Sequence, residues 1–262
     1  MELRIGARRV FAATGGREFD PARPTVAFIH GAGMDHTVWA LQARWFAHHG
    51  RNVLAVDLPG HGSSDGPALR SIGDMAEFVL GVLDAAHATR AALVGHSMGA
   101  LVALETAARG AGRVAALGLL GMAPLMPVHP DLLASAERGE HGAIDLIVSW
   151  AVGRQAQLGG NDAPGLWLTG AALRLLERAD PRALAADLAA CDAHKTAAEA
   201  AAKAGCPMLF LLGADDRMTP AAKARDLASR LPDARAVMLP RIGHMMMLED
   251  PSGTLDALKT IV

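Results

Sequence analysis

Five residues, Gly95-His96-Ser97-Met98-Gly99, constrain this chain more than any other stretch. They follow the apolar run Ala91-Ala92-Leu93-Val94 and precede Ala100 to Ala107, which reads as a helix. A Gly-x-Ser-x-Gly turn between a strand and a helix is tight enough that a Cβ at either glycine would collide with neighbouring backbone. The serine at its centre is held in a strained conformation, a cost tolerated where side chains do chemistry. Its hydroxyl is presented at the carboxyl end of a sheet. The helix that starts there points amide N–H groups at any anion formed beside it.

The surrounding pattern supplies the sheet. Thr25 to His30, Asn52 to Asp57, Ala91 to Val94 and Val114 to Leu120 are short, almost unbroken apolar runs. Runs of this kind are strands buried on both faces. Between them, Trp39 to His49 and Ser71 to Ala86 have helical spacing, with Trp39, Leu41, Trp45 and Phe46 as the burying positions of the first. Leu3 to Ala13 is expected to form an edge strand or hairpin. Alternation of strand and helix predicts an α/β fold with a mainly parallel sheet, ligands binding beyond the carboxyl ends of the strands.

That rhythm stops near Pro124 and resumes with Pro207 to Leu212 and Ala236 to Leu239. The intervening stretch holds helical segments at Gly142 to Val152, Leu166 to Ala179 and Ala183 to Ala201, punctuated by Pro127, Pro130, Gly159-Gly160 and Pro164. The expected organisation is a core of residues 1–124 and 205–262, with a helical cap at 125–204 lying over Ser97.

Composition narrows the function. A chain of 262 residues with 51% hydrophobic and 20% charged residues can bury a substantial core. A formal net charge of −2 without basic blocks gives nothing for nucleic acid or a charged membrane surface to bind. The opening residues lack the pattern of an export signal, and the longest uncharged apolar stretch is shorter than the ~18 residues of a membrane helix. Cys191 and Cys206 have no ligand-like spacing and are read as reduced thiols. A cytoplasmic protein, monomeric or homodimeric, is expected. No His-Glu-x-x-His or comparable pair occurs among the 11 histidines, so neither metal nor cofactor is expected. Gly31-Ala32-Gly33 lacks the Lys-Ser/Thr of a phosphate cradle.

A serine hydroxyl needs a base to take its proton and a third group to orient that base. His244 follows the last predicted strand in Arg241-Ile242-Gly243-His244, where Gly243 lets the backbone turn. Asp216 and Asp215 follow the preceding strand, and either supplies the orienting carboxylate, Asp216 being preferred.

With these residues the chain resembles the α/β-hydrolase family, in its branch of small bacterial serine hydrolases with a helical cap. The resemblance runs from His30-Gly31 through Asp57-Leu58-Pro59-Gly60-His61-Gly62-Ser63-Ser64, Gly95 to Gly99 and Gly213-x-x-Asp216-x-x-x-Pro220 to Gly243-His244. Ser, Asp, His is also the family's chain order. It implies a triad of Ser97, His244 and Asp216, because the acid sits three residues after the glycine and four before the proline. It also implies an oxyanion hole from the backbone N–H groups of Met98 and Ala32, with Gly33 as a substitute for the latter. A serine at the elbow argues against haloalkane dehalogenase or epoxide hydrolase chemistry, which uses a carboxylate there.

Gly31, Gly33, Met34, Trp39, Met122 and Met245 are candidates to line the substrate pocket, with Leu125, Met126, Met246 and Met247 nearby. The expected function is hydrolysis of a small or medium acyl ester, lactone or thioester through a Ser97 acyl-enzyme. Carbon–carbon cleavage of a diketone and perhydrolysis are the alternatives. A small-ligand receptor has no use for a complete triad.

Overall fold

The computed structural model describes residues 1–161 and 165–262, so Pro164 lies outside the described residues. Eight strands form one sheet: β1 (Glu2–Ile5), β2 (Arg8–Ala13), β3 (Thr25–Ile29), β4 (Asn52–Val56), β5 (Ala91–His96), β6 (Val114–Leu120), β7 (Met208–Gly213) and β8 (Ala234–Leu239). Their spatial order is β1-β2-β4-β3-β5-β6-β7-β8. β1 and β2 form an antiparallel hairpin that joins β4 antiparallel, and every pairing from β4 across to β8 is parallel.

The all-apolar strands are apolar because both faces are covered. In β3, Ala27 and Ile29 join one core cluster while Val26 and Phe28 join the other. β4 splits the same way, Leu54 and Val56 against Val53 and Ala55, as a side-chain period of two requires. A 3-10 turn at His36–Trp39 leads into α1 (Ala40–His48), which covers one face; α2 (Ile72–Ala85) and α3 (Met98–Arg109) cover the other. Leu41, expected to be buried on α1, is 47% exposed, because it projects from the side of the helix away from the sheet. β8, an edge strand, is the least buried of the parallel set.

Between β6 and β7 the chain leaves the sheet and runs through α4 (Pro130–Glu137), α5 (His141–Ala151), α6 (Arg154–Gln157), α7 (Leu168–Arg178), α8 (Pro181–Ala193) and α9 (Ala197–Lys203). Leu132, Ile147, Val148, Leu168, Leu176, Leu184 and Leu188 make a third, separate core within this helical layer. The expected single helix from Ala183 to Ala201 is two. His194 turns extended, and α9 then packs its alanine face on α3 in the main core. Alanine favours helix but does not specify where one ends, so the break was invisible in composition. α10 (Ala221–Ser229), α11 (Met246–Glu249) and α12 (Pro251–Leu258) complete the fold.

Candidate active site

The site collects at the carboxyl ends of the parallel strands. Ser97 follows β5 with φ 53° and ψ −117°, a positive-φ conformation strained for any residue with a Cβ. Sterics explain its flanking glycines. A Cβ on Gly95 would lie 2.0 Å from the Gly99 carbonyl oxygen, and one on Gly99 would lie 2.3 Å from that of Ile29. No side chain fits at either point. The Ser97 N–H donates to Leu120 O at 2.8 Å, tying the turn to the end of β6. Met98 is the first residue of α3, so its N–H has no acceptor within the helix.

His244 stands on the loop after β8, nearly fully buried. Its Nδ1–H donates to Asp216 Oδ2 at 2.8 Å. Asp216 is held in turn by the N–H groups of Met218 and Thr219 on Oδ1, at 2.8 and 2.9 Å, and by the Thr219 hydroxyl on Oδ2 at 2.8 Å. Burial alone would push this carboxyl up, but the His244 ring and the Thr219 donors outweigh it and hold it below the usual carboxylate range. Asp215, the other candidate, is exposed, and its backbone N–H donates to Ile242 O on the loop after β8. The histidine is also packed from below. Gly121 has φ +55°, and a Cβ there would come within 3.0 Å of His244 Nδ1. His96 lies 4.6 Å from His244 ring to ring and donates from Nε2 to its carbonyl oxygen at 2.9 Å. Burial lowers His96 to about 3, so it is a neutral packing group rather than a base.

Ser97, His244 and Ala32 open on one cavity of about 340 Å³. Its other walls are Met34, Met126, Leu132, Ile147, Trp150, Leu188 and neighbours, most of them from the helical layer. Met34 and Met126 are therefore where the sequence suggested. Trp39, Met122 and Met245 are not. Trp39 packs on Phe28 with ring centres 5.1 Å apart, and the two methionines are fully enclosed in the two sheet-face cores. Methionine suits such irregular core gaps as well as it suits a pocket, so identity alone did not separate the two. Gly31 and Gly33 shape the loop rather than the wall. A Cβ on Gly31 would meet His96 Nδ1 at 2.9 Å, and Gly33 has φ +68°. The Gly33 N–H is already donated to Asp187 Oδ2 at 2.9 Å, so Gly33 cannot substitute for Ala32 as an anion donor.

Two buried carboxylates were not foreseen. Asp187 on α8 accepts from Gly33 and from His61 Nε2 at 2.8 Å, while His61 Nδ1 donates to Pro59 O at 3.1 Å. Acceptors at both ring nitrogens favour the protonated ring of His61. Burial pulls its pKa down, but Asp187 and the Pro59 carbonyl outweigh burial and raise it. Burial and the adjacent His61 charge lower His30 to about 4. Glu249 accepts three backbone N–H groups: Gly153 and Gly243 on Oε2 at 3.0 and 2.9 Å, and Met245 on Oε1 at 3.1 Å. These bonds clamp the loop on both sides of His244 to the end of α5, where His244 N–H donates to Ala151 O at 2.7 Å. The one signal for Asp187 was its phase: it lies on the same stripe of α8 as Ala183, Leu184, Leu188 and Cys191, all buried.

Among the described residues, one group, Asp35, His36 and Asp57, brings ligand-type atoms within 4.8 Å of each other. Protein donors already engage it. Asp57 accepts from the His36 ring and N–H and from Ser63 N–H, and Asp35 pairs with Arg178 at 2.7 Å. No helix among the described residues is long and apolar enough to cross a membrane.

Residues 26–257 match the Alpha/beta hydrolase family. Over 262 aligned residues the chain is 30% identical to the pimeloyl-(acyl-carrier protein) methyl ester esterase of Aromatoleum aromaticum, covering 92% of this chain and 98% of that protein. It is also 30% identical to the dihydrolipoyllysine-residue acetyltransferase component of the acetoin cleaving system of Pseudomonas putida, covering 86% of this chain but only 59% of that longer protein. The enol-lactonase of Burkholderia xenovorans LB400 superposes with a TM-score of 0.89 over 100% of this chain and 99% of its own, at 22% identity.

Proposed function

The chain belongs to the alpha/beta hydrolase family, and from that premise we propose that it is a serine hydrolase cleaving small carboxylic esters, lactones or thioesters through an acyl-enzyme on Ser97. The observation that carries this reading is the Asp216–His244 bond of 2.8 Å behind a cavity that Ser97 shares.

The residues divide the work as follows. Asp216 fixes the proton of His244 on Nδ1, which leaves Nε2 as the base. Nε2 takes the Ser97 proton as Oγ attacks the ester carbonyl carbon. The oxyanion that forms is met by the N–H groups of Met98 and Ala32, donors that need no reorganisation during the step. Collapse expels the alcohol, which receives the proton back from His244. Water, deprotonated by the same imidazole, then releases the acid. Each oxyanion donor is worth about 100- to 1,000-fold in rate.

In the same reading residues 1–124 and 205–262 are the catalytic core, and 125–204 is a cap that supplies the acyl pocket. The cavity residues Leu132, Ile147, Trp150 and Leu188 support that division. The methyl ester esterase relative supports hydrolysis of esters over carbon–carbon cleavage. The test is a fluorophosphonate probe followed by intact mass and peptide mapping. A stable adduct on Ser97, absent in Ser97→Ala and His244→Ala, is the expected result. A folded protein that takes no label sinks the proposal.

A further inference from the structure

We propose that this cavity selects esters carrying an anionic group remote from the scissile carbonyl, and that Arg217 at its edge is the residue that holds that group. The inference rests on the ester-hydrolase reading above and names the substrate class within it.

Arg217 is the one permanently charged side chain lining the cavity among the described residues, and no carboxylate lines it there. The remaining wall is largely apolar, Met126, Leu132, Ile147 and Trp150 being representative. A lone cation beside an apolar chamber is complementary to a short hydrocarbon chain that ends in an anion.

Next is what Arg217 does in the fold. Several arginines near the helical layer are neutralised or tied down: Arg178 pairs with Asp35 at 2.7 Å, Arg182 with Asp180 at 2.8 Å, and Arg241 donates to Gln155 at 3.1 Å. Arg217 has no such partner among the described residues. Its neighbour in sequence, Asp216, is consumed by Met218, Thr219 and His244, so it is not a counter-ion for Arg217. Asp215, on the other side of Asp216, forms no ion pair with it either.

The cavity wall carries a second side-chain donor. His129 accepts the Asp131 N–H on Nδ1 at 3.3 Å, which puts the ring proton of the neutral form on Nε2, a donor. Arg217 offers only donors. Of the other polar side chains of the wall, Ser97, Thr219 and His244 belong to the reaction, Trp150 offers only an indole N–H donor, and Cys191 is a buried thiol. A group that only accepts, a carboxylate above all, satisfies this set, whereas a hydroxyl or amide end leaves donors of its own facing donors.

The anion sits on the acyl side or the alcohol side of the ester, and paired substrates tell which. Monomethyl adipate is compared with methyl hexanoate, and butyryl glycolate with ethyl butyrate, for the wild type, Arg217→Gln and Arg217→Lys. In one of the two pairs the anionic ester is expected to have the higher kcat/KM by about tenfold, expressed in KM. Arg217→Gln should erase that preference while neutral esters keep their kcat/KM within about twofold. Arg217→Lys should retain part of it, and salt near 0.5 M should shrink it. An anionic preference unchanged in Arg217→Gln, or neutral esters preferred in both pairs, overturns the inference.

Binding gives a readout that needs no turnover. Calorimetric titration of Ser97→Ala with monomethyl adipate and butyryl glycolate, against Ser97→Ala/Arg217→Gln, should show binding of one of them that the second substitution weakens about tenfold. Equal binding in the two variants counts against Arg217 whatever the chemistry. Absence of turnover on every ester, together with absence of Ser97 labelling, sinks instead the hydrolase reading on which the proposal stands.

Discussion

The floor and the roof of the cavity are held by opposite means. The floor, built from the Ser97 turn and the ends of β3, β5 and β6, is fixed by backbone against backbone. Gly95 faces the Gly99 carbonyl and Gly99 faces those of Ile29 and His30, with no titrating group involved. The roof and the histidine loop are fixed by buried carboxylates that accept backbone N–H groups across the two layers, Asp187 to Gly33 and Glu249 to Gly153 and Gly243. Close-packed backbone is indifferent to pH and salt. A buried carboxylate is not, because its worth depends on its charge and on every bond it keeps. The serine is thus set rigidly, while the surfaces that enclose the substrate depend on ionisation.

The largest effect expected comes from Asp216, the proposed acid behind His244. Asp216→Asn retains size and most hydrogen bonds but no longer holds the His244 proton on Nδ1. A loss of about 10⁴ in kcat is expected, with little change in unfolding. Asp215→Asn, one residue away and exposed, should leave kcat within about twofold. Steady-state rates of the two variants on one neutral ester make the comparison. A larger loss in Asp215→Asn would mean that the acid has been misassigned.

The same contrast explains what could be read from the chain alone. The Ser97 turn was legible because its glycines answer a local steric demand, visible within five letters. The pairing of His244 with Asp216 was legible through their places after strands, and the family resemblance, through the spacing from Gly213 to Pro220, preferred Asp216 to Asp215. The wall of the pocket was legible only in part. Trp39, Met122 and Met245 face the sheet-face cores, and only the packing of α1 and of the segments after β6 and β8 decides that. Asp187 and Glu249 were missed for a related reason. A carboxylate in an alanine-rich helix, or next to Asp250 at a helix start, has the composition of a solvated surface. Its burial follows from which layer covers it, and that is a long-range fact.

Asp187→Asn tests the roof where it meets the Gly31–Gly33 loop. Asp187 is fully buried against the His61 ring, so removing its charge takes away the partner that favours the protonated ring and weakens the tie to Gly33. Loss of one partner from a buried pair costs about 3 kcal/mol, partly relieved as His61 gives up its proton. The pH dependence gives a sharper result. The folded pKa of His61 is raised above its ordinary 6.5, so the stability it contributes is complete below that value and is lost as pH rises through the higher folded one. Unfolding free energy in denaturant should therefore fall on the alkaline side in the wild type, and this component of the fall should vanish in Asp187→Asn. A variant that keeps the full alkaline slope would show that the pair does not hold the roof.

Glu249→Gln is expected to have the smallest effect of the three, and its sign separates a charge from a scaffold. Glutamine keeps one acceptor oxygen for Gly153 and Gly243 but turns an NH₂ toward the Met245 N–H, stranding a buried donor at a cost of about 1–2 kcal/mol. Burial raises the Glu249 pKa, and the three N–H groups only partly offset it. A carboxyl whose folded pKa is raised is bound to its proton more tightly in the folded state, so the wild type loses stability as pH rises from about 4.5 through that higher value. Glutamine does not titrate. The penalty of the substitution should thus be greatest at acid pH and shrink toward neutrality, the reverse of what an ion pair at this position would produce. Denaturant midpoints for the two proteins at pH 4, 5.5 and 7 measure it. A penalty that grows with pH would mean that Glu249 acts through its charge, and the histidine loop would then be held by electrostatics rather than by three hydrogen bonds to one buried carboxyl.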